Sequence, residues 1–317
     1  MGACRWGRRV GEDLRYAGAG RGARKIDWVR TYLDCYPCFL RQALSAARRA
    51  GADEVAQHAV VGETLSLLQD LPIEATPPEI AHAVHRLVRA RVGERDPYRE
   101  AKAESTSAAL AIRSRLTDLV AASPDPLEAA ARVAIAGNII DFGVGEDVAD
   151  LWPVVERVMA QPLAIDHLGE LRAALTAADV VLYLADNAGE TVFDRVLIEV
   201  LVERLGVSVT YAVKGGPVLN DATRDDALAA GLDGCATVID NGSDAPGTVR
   251  SLCAPGFRDV LDAAPVVIAK GQANYETLSL AGGRVFCLLQ VKCPVIGRDL
   301  GVPVGSVVVR RSEGTGE

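Results

Sequence analysis

The chain has 317 residues, 34 Lys+Arg against 42 Asp+Glu for a net charge of −8, and 49% hydrophobic residues. That supplies a sizeable core and, at this length, two domains or one large α/β domain with an appendage. The acidic balance and the 5% aromatic content argue against a nucleic-acid binder, which needs a basic footprint and stacking surfaces. No run of apolar residues is long enough to span a membrane.

Residues 1–25 carry seven cations and two anions, with no apolar core segment and no small-residue cleavage site. Trp6 breaks the myristoylation pattern that Gly2 would begin. Residues 1–26 therefore read as a disordered tail. Apolar spacing of three and four then predicts helices over 28–50 and 53–69. Thr76-Pro77-Pro78-Glu79 is a helix start, with Thr76 as cap, for a helix reaching Val92. Asp96-Pro97-Tyr98 opens another to about Ala122, and a further helix spans about 127–140. No strand is expected before residue 178. From there the period changes. Apolar runs at 179–185, 207–213, 235–239, 265–269 and 284–291 alternate with segments of helical pattern or length at 190–205, 220–230, 247–262 and 273–281. Strand–helix alternation predicts a parallel sheet covered on both faces. The expected fold is α/β: a Rossmann-like three-layer domain with a mainly parallel sheet of about five strands over 166–317, plus an all-helical N-terminal domain over 27–165.

Seven cysteines without a recognisable leader suggest a reducing, cytoplasmic setting. Cys35 and Cys38 form a C-x-x-C, and Cys293 is a candidate third partner if the fold brings it near. A second metal site, a structural thiol site and plain apolar burial all remain open for these three. His82 and His85 are spaced for a metal pair, but a solvated helix face explains them as well.

Ligands of open α/β sheets bind outside the carboxyl ends of the strands. After the five runs stand Asp186-Asn187-Ala188-Gly189-Glu190, Lys214-Gly215 with Asn220-Asp221, Asp240-Asn241-Gly242, Lys270-Gly271 with Asn274 and Glu276, and Lys292-Cys293. Each residue alone has a bland reading as a cap or a turn. Together they collect carboxylates, carboxamides and lysines at one rim. Only five residues are Lys against 29 Arg, and three of the five, Lys214, Lys270 and Lys292, fall in these loops. Oxygen donors suit a hard divalent cation, and lysines with helix N-termini suit a phosphate. The combination points to phosphoryl transfer or phosphate-ester hydrolysis. Asp186, Asn187 and Asp221 are the best ligand set. The chain lacks a P-loop, a dinucleotide glycine fingerprint after the first run, a G-x-S-x-G elbow and a D-x-D-x-[TV] motif.

D-N-x-G-E (186–190), K-G-x-P-V-L-N-D-A-T (214–223) and K-G-Q-A-N-Y-E (270–276) together resemble the damage-control phosphatase family. The C-x-x-C (35–38), D-P-Y-x-x-x-K (96–102), G-N-x-I-D-F-G (137–143) and the stretch 291–305 resemble its stand-alone prokaryotic branch. The resemblance covers roughly residues 28–310. It implies a helical domain packed on a Rossmann-like one. It also implies hydrolysis of phosphomonoesters, such as sugar phosphates or damaged phosphometabolites, with Mg²⁺, Mn²⁺, Co²⁺ or Ni²⁺. Carried onto this chain, it makes Asp186, Asn187 and Asp221 the metal ligands and puts Glu190, Lys270, Asn274 and Glu276 on the substrate side, joined by Asn138 and Asp141 from the helical part. The rim residues add Lys214 and Gly271 as expected substrate contacts, and Asp186, Asp221 and Lys270 are the expected catalytic groups, with Lys270 neutralising developing charge and Asp186 a ligand or a nucleophile. The chain departs from the family pattern at Asp240-Asn241, which add a carboxylate ahead of the glycine. That carboxylate is expected near the metal or as a helix cap. Two other readings stay open on the same fold: an S-adenosylmethionine-dependent methyltransferase and a non-catalytic sugar-phosphate-binding protein. The expected partner is a small phosphate ester, with neither nucleic acid nor membrane. Oligomeric state is unreadable from the sequence.

Overall fold

The computed structural model describes residues 29–69, 75–94, 96–139 and 151–314. The tail expected over 1–26 and Asp141 therefore lie outside the described residues. A short 3-10 turn at Leu33–Cys35 leads into α1 (Tyr36–Arg49), followed by α2 (Glu54–Gln69), α3 (Pro77–Val92), α4 (Arg99–Ala121) and α5 (Pro126–Ile139). Thr76 caps α3 as expected: its hydroxyl accepts from Glu79 N at 3.3 Å and Glu79 Oε2 accepts from Thr76 N at 2.8 Å. After α6 (Trp152–Ala160) the chain alternates through β1 (Leu163–Asp166), α7 (Leu168–Thr176), β2 (Val180–Leu184), α8 (Glu190–Leu205), β3 (Ser208–Val213), α9 (Arg224–Ala229) and β4 (Thr237–Asp240). It finishes with α10 (Pro255–Ala263), β5 (Val266–Lys270), α11 (Gly271–Leu278), β6 (Val285–Gln290), α12 (Pro294–Leu300) and β7 (Val307–Arg311).

The sheet has seven strands in the order β1-β7-β6-β5-β2-β3-β4. The five predicted runs became β2 to β6, and all their mutual pairings are parallel. The expectation of about five strands, none before residue 178, is corrected by β1 and β7. β7 pairs antiparallel with β6, and β1 pairs parallel with β7. Both added strands close one edge. β1 escaped notice because it is four residues long and half-exposed, so it lacks the continuous apolar run that marks a central strand.

Successive residues of β2 feed two cores, as a covered sheet requires. Val181 and Tyr183 pack with Leu116, Ile135 and Phe193 of α4, α5 and α8. Leu182 and Leu184 pack with Phe257, Tyr275 and Ile296 of α10, α11 and α12. Helices α1 to α3 keep a core of their own around Phe39, Val60, Ile80 and Val84. Gly137 sets the distance between α5 and α8, because a Cβ there would lie 2.9 Å from Phe193 Cβ. No helix among the described residues is long and apolar enough to cross a membrane.

The strand order places the topological switch point. From β2 the chain runs outward through β3 to β4, then returns to lay β5 on the opposite side of β2. The crevice between the carboxyl ends of β2 and β5 is where such sheets bind ligands.

Candidate active site

Asp186 and Asn187 follow β2 and Lys270 ends β5, so the switch point carries the residues singled out from the sequence. The loop after β2 is tied to the loop after β3 by backbone bonds. Ala222 N donates to Asp186 O at 2.8 Å, and Ala188 N donates to Asn220 O at 2.9 Å. A bridge between Asn187 and Asp221 completes the link. Two loops remote in sequence thereby present Asp186, Asn187 and Asp221 together. Asn138, near the end of α5, reaches the same point. Its Nδ2 donates to Asp186 Oδ2 and to Glu190 Oε1, each at 2.8 Å. The close α5–α8 approach at Gly137 makes that reach possible.

Beneath these groups lies a fully buried charge network. Glu190 and Lys270 are both 0% exposed. Lys270 Nζ donates to Glu190 Oε2 at 2.9 Å and to Asp194 Oδ1 at 2.7 Å. Asp194 also accepts from Tyr183 and Tyr211, at 2.7 and 2.8 Å. Burial works against the Lys270 ammonium, but Asp194 and Glu190 outweigh it and hold its pKa above the usual lysine range. Burial raises the Asp194 carboxyl, and Lys270 opposes that rise. The Lys270 ammonium is thus turned inward as a buried strut. Sequence reading missed Asp194; its signal was an acidic residue one helical turn after Glu190, on the face of α8 that points at β5.

At the crevice itself negative charge is in excess. Glu190 and Asp194 face Lys270, and Asp221 faces Lys214, while Lys292 and then Lys214 act on Asp186 through space. Burial and the neighbouring Glu190 and Asp221 lift the Asp186 pKa well above the carboxylate range. Burial pushes Asp221 up to about 6, against the pull of Lys214. Lys214 Nζ donates to Gly247 O and stands 3.5 Å from Asp221 Oδ2. Asp221 Oδ2 is nevertheless buried without a hydrogen-bond partner. Asn187 commits its nitrogen to Glu190 Oε1 at 2.6 Å and faces Asp186 Oδ2 at 3.4 Å, which leaves its carbonyl oxygen for another ligand. Among the described residues no three His, Cys, Asp or Glu side chains are grouped to hold a metal. The group here is two carboxylates completed by a carboxamide. An orphaned carboxylate oxygen, raised carboxyl pKa values and an all-oxygen donor set fit a hard divalent cation.

The remaining expected residues take other places. Asn274 is buried and braces the crevice: its Nδ2 donates to Lys270 O and Ala185 O, at 2.8 and 3.1 Å, and its Oδ1 accepts from Thr248. Glu276 accepts from Gln272 Nε2 at 3.0 Å, and the same amide nitrogen is 3.5 Å from Cys293 Sγ. Cys35 and Cys38, at the start of α1, share that corner with Cys293 and Glu276. All three thiols are free, and burial pushes the Cys35 thiol up to about 11. Asp240 is exposed and caps a turn, its Oδ1 accepting from Gly242 N at 3.0 Å. The paired-metal and solvated-face readings of His82 and His85 are both corrected. His82 Nε2 meets Asp244 Oδ1 at 2.7 Å, and His85 is buried in the helical core.

Two local predictions arise here. Gly271 has φ +78°, and a Cβ on it would lie 1.8 Å from Asp186 Oδ2. Gly271→Ala should displace the Asp186 carboxylate and lower the turnover of any reaction it serves by about 10²-fold, with a loss of about 1–2 kcal/mol of stability from the left-handed backbone. Steady-state kinetics and a melting curve on one preparation check both. Glu276 is the pH-sensitive element. Burial raises its pKa from 4.5 to about 7, with Gln272 opposing. Its penalty on the folded state is absent below the unfolded value, grows as pH rises toward 7, and is constant above that. Glu276→Gln keeps the Gln272 bond. It should match the wild type at pH 4 and exceed its stability at pH 8 by on the order of 3 kcal/mol, read from denaturant unfolding at the two pH values.

Comparison with known proteins gives one consistent answer. Residues 31–308 match the model of the damage-control phosphatase ARMT1-like domain. A damage-control phosphatase of Pyrococcus horikoshii is 33% identical over 288 residues, 90% of this chain and 99% of the relative. A damage-control phosphatase of Archaeoglobus fulgidus is 33% identical over 285 residues, covering 87% of this chain and 97% of the relative. The crystal structure of a DUF89 family protein from Pyrococcus horikoshii superposes with a TM-score of 0.82 at 33% identity, over 90% of this chain and 99% of that one.

Proposed function

We propose that this chain, which belongs to the ARMT1-like damage-control phosphatase family, hydrolyses phosphomonoesters of small metabolites at the β2–β5 crevice with the help of a divalent cation. The observation that carries this reading is the buried Asp221 Oδ2 beside Asp186, which has no hydrogen-bond partner and only the Lys214 ammonium at 3.5 Å. Nature rarely buries a carboxylate oxygen without a partner unless a ligand completes it.

Asp186, Asn187 and Asp221 would hold the cation, and Mg²⁺ or Mn²⁺ suits their all-oxygen set. Bound there, it would polarise a phosphoryl oxygen and offset developing charge. The chain's own groups do the rest. Asn138 fixes Asp186 Oδ2 and leaves its other oxygen directed by the loop. Lys214 and Lys292 offset part of the negative charge that an anionic ester would meet in the crevice. The first-turn N–H groups of α11, beside Asp186, have no partner within their helix and suit a phosphoryl oxygen. Lys270 contacts no solvent; it acts as a positioning residue that orients Glu190, which in turn orients Asn187. Asp186 serves as a ligand or as the in-line nucleophile, and each role requires its ionised form.

A screen of phosphate esters against Mg²⁺, Mn²⁺, Co²⁺ and Ni²⁺, with chelator and S-adenosylmethionine controls, tests the reading. The expected result is ester hydrolysis that chelator abolishes and added cation restores. Hydrolysis indifferent to chelator, or S-adenosylmethionine binding without turnover, sinks it.

A further inference from the structure

Asp221 sits in a turn that its own sequence disfavours. Asp221 N donates to Val218 O at 3.0 Å, which closes a turn over Val218, Leu219, Asn220 and Asp221. Leu219 stands at the second position of that turn with φ +46°, and among the described residues it is the only non-glycine with a positive φ. Turns that need a positive φ at this position take glycine, because a Cβ crowds the backbone there. A leucine keeps such a backbone only where its surroundings compensate.

The compensation lies in the helical part. The Leu219 side chain packs on the core of α1 to α3. With Ala46, Val88 and Tyr98 of that core it lines a gap of about 10 Å³, no larger than one water. Arg89, the next residue of α3, donates from Nη1 to Pro217 O at 2.9 Å. The helical core thus holds the tip of the loop at Pro217 and Leu219, while its base is pinned beside the sheet by the bridge between Lys214 and Thr223. On the far side of the turn, Asn220 O accepts from Ala188 N. An orientation set at Leu219 therefore passes straight to the loop that carries Asp186 and Asn187.

We propose that Leu219 is a positioning residue: seated in the α1–α3 core, it holds the strained turn that aims the Asp221 carboxylate into the crevice. Without the seat, the backbone relaxes to negative φ and takes Asp221 away from Asp186 and Asn187. The consequence for a bound cation rests on the phosphatase reading above; the seating of the turn does not.

Three variants separate the seat from the strain. Leu219→Met keeps an apolar side chain of similar volume. Leu219→Ala empties the seat and keeps the crowding Cβ. Leu219→Gly empties the seat as well, but glycine adopts the positive φ without help. Mn²⁺ is titrated calorimetrically, and amide exchange is followed at Asp221 and Ala188 in the cation-free protein. Leu219→Ala should bind Mn²⁺ about tenfold more weakly, the effect of disturbing a group that orients a metal ligand. It should also lose about tenfold in protection at the two amides, with β2 and β5 unchanged. Leu219→Met should match the wild type, and Leu219→Gly should fall between Leu219→Ala and the wild type. Mere filling of the helical core predicts the reverse order, since glycine fills less than alanine. A wild type that takes up no Mn²⁺ and hydrolyses no ester, with the order Met, Gly, Ala kept in amide protection, would sink the phosphatase reading and leave the positioning role standing. A wild type that binds Mn²⁺ and a Leu219→Ala variant that binds it equally well overturn the proposal. So does a Leu219→Gly variant no better than Leu219→Ala in both measurements, or protection lost evenly through β2 and β5.

Discussion

Asp186→Asn should fold as the wild type does and lose about 10³-fold or more in kcat/KM toward 4-nitrophenyl phosphate, some 4 kcal/mol of transition-state stabilisation. The substitution is isosteric. The bond from Asn138 Nδ2 survives on the new carbonyl oxygen, so the geometry around Glu190 is kept. What disappears is one negative charge that burial and the neighbouring Glu190 and Asp221 already disfavour. Without a bound cation the variant should therefore be at least as stable as the wild type. Stability gained together with activity lost is the signature of a group kept for its ligand and not for the fold. A variant that is both less stable and still active would assign Asp186 to architecture instead.

Lys270→Met should instead be a stability variant. Its ammonium holds Glu190 and Asp194 in a network that no solvent reaches. Removing one member of a buried ion cluster costs about 3–5 kcal/mol, because the carboxylates left behind have neither water nor counter-charge. Burial already lifts the Asp194 carboxyl, with Lys270 as the opposing influence. In the variant that opposition is gone, so the folded-state pKa of Asp194 rises further. The destabilisation should be full at pH 8 and shrink on acidification, as protonation removes the uncompensated charge. Lys270→Met/Asp194→Asn should regain part of the loss, since one of Tyr183 and Tyr211 can still donate to the carboxamide oxygen and the other can accept from its nitrogen. Chemical denaturation of both variants at pH 5 and pH 8 measures all of this. Wild-type stability in Lys270→Met at pH 8 would show that the network is hydrated and not buried.

The two variants also mark what could be read without coordinates. The rim residues were legible because a parallel sheet obliges its ligands to the carboxyl ends of the strands. Asp186, Asn187, Lys214 and Lys270 follow runs whose near-continuous Val, Ile and Leu content identified them as central strands. Asp194 was not legible. A carboxylate one turn into a helix is as compatible with solvent as with a core, and only the register of β2 with β3 brings Tyr183 and Tyr211 together to meet it. β1 and β7 were hidden for a related reason. Both lie at one edge of the sheet, β1 half-exposed and β7 ending in two arginines, so neither carries the apolar run of a buried central strand. The role of Asp240 depended on tertiary placement: it caps a turn at the mouth of a cavity between α4 and α9, apart from Asp186 and Asp221. Asn138 shows the opposite case. Its carboxamide meets Asp186 only because Gly137 lets α5 approach α8, and the sequence pointed to it only through the family resemblance of its G-N-x-I-D-F-G motif.

The most direct test of the central claim is anomalous diffraction at the manganese edge from crystals soaked with Mn²⁺ and inorganic phosphate. The account predicts a peak bonded to oxygens of Asp186, Asn187 and Asp221, with the phosphate against it at the start of α11. A manganese peak elsewhere, with these three residues unliganded at saturating Mn²⁺, would contradict it.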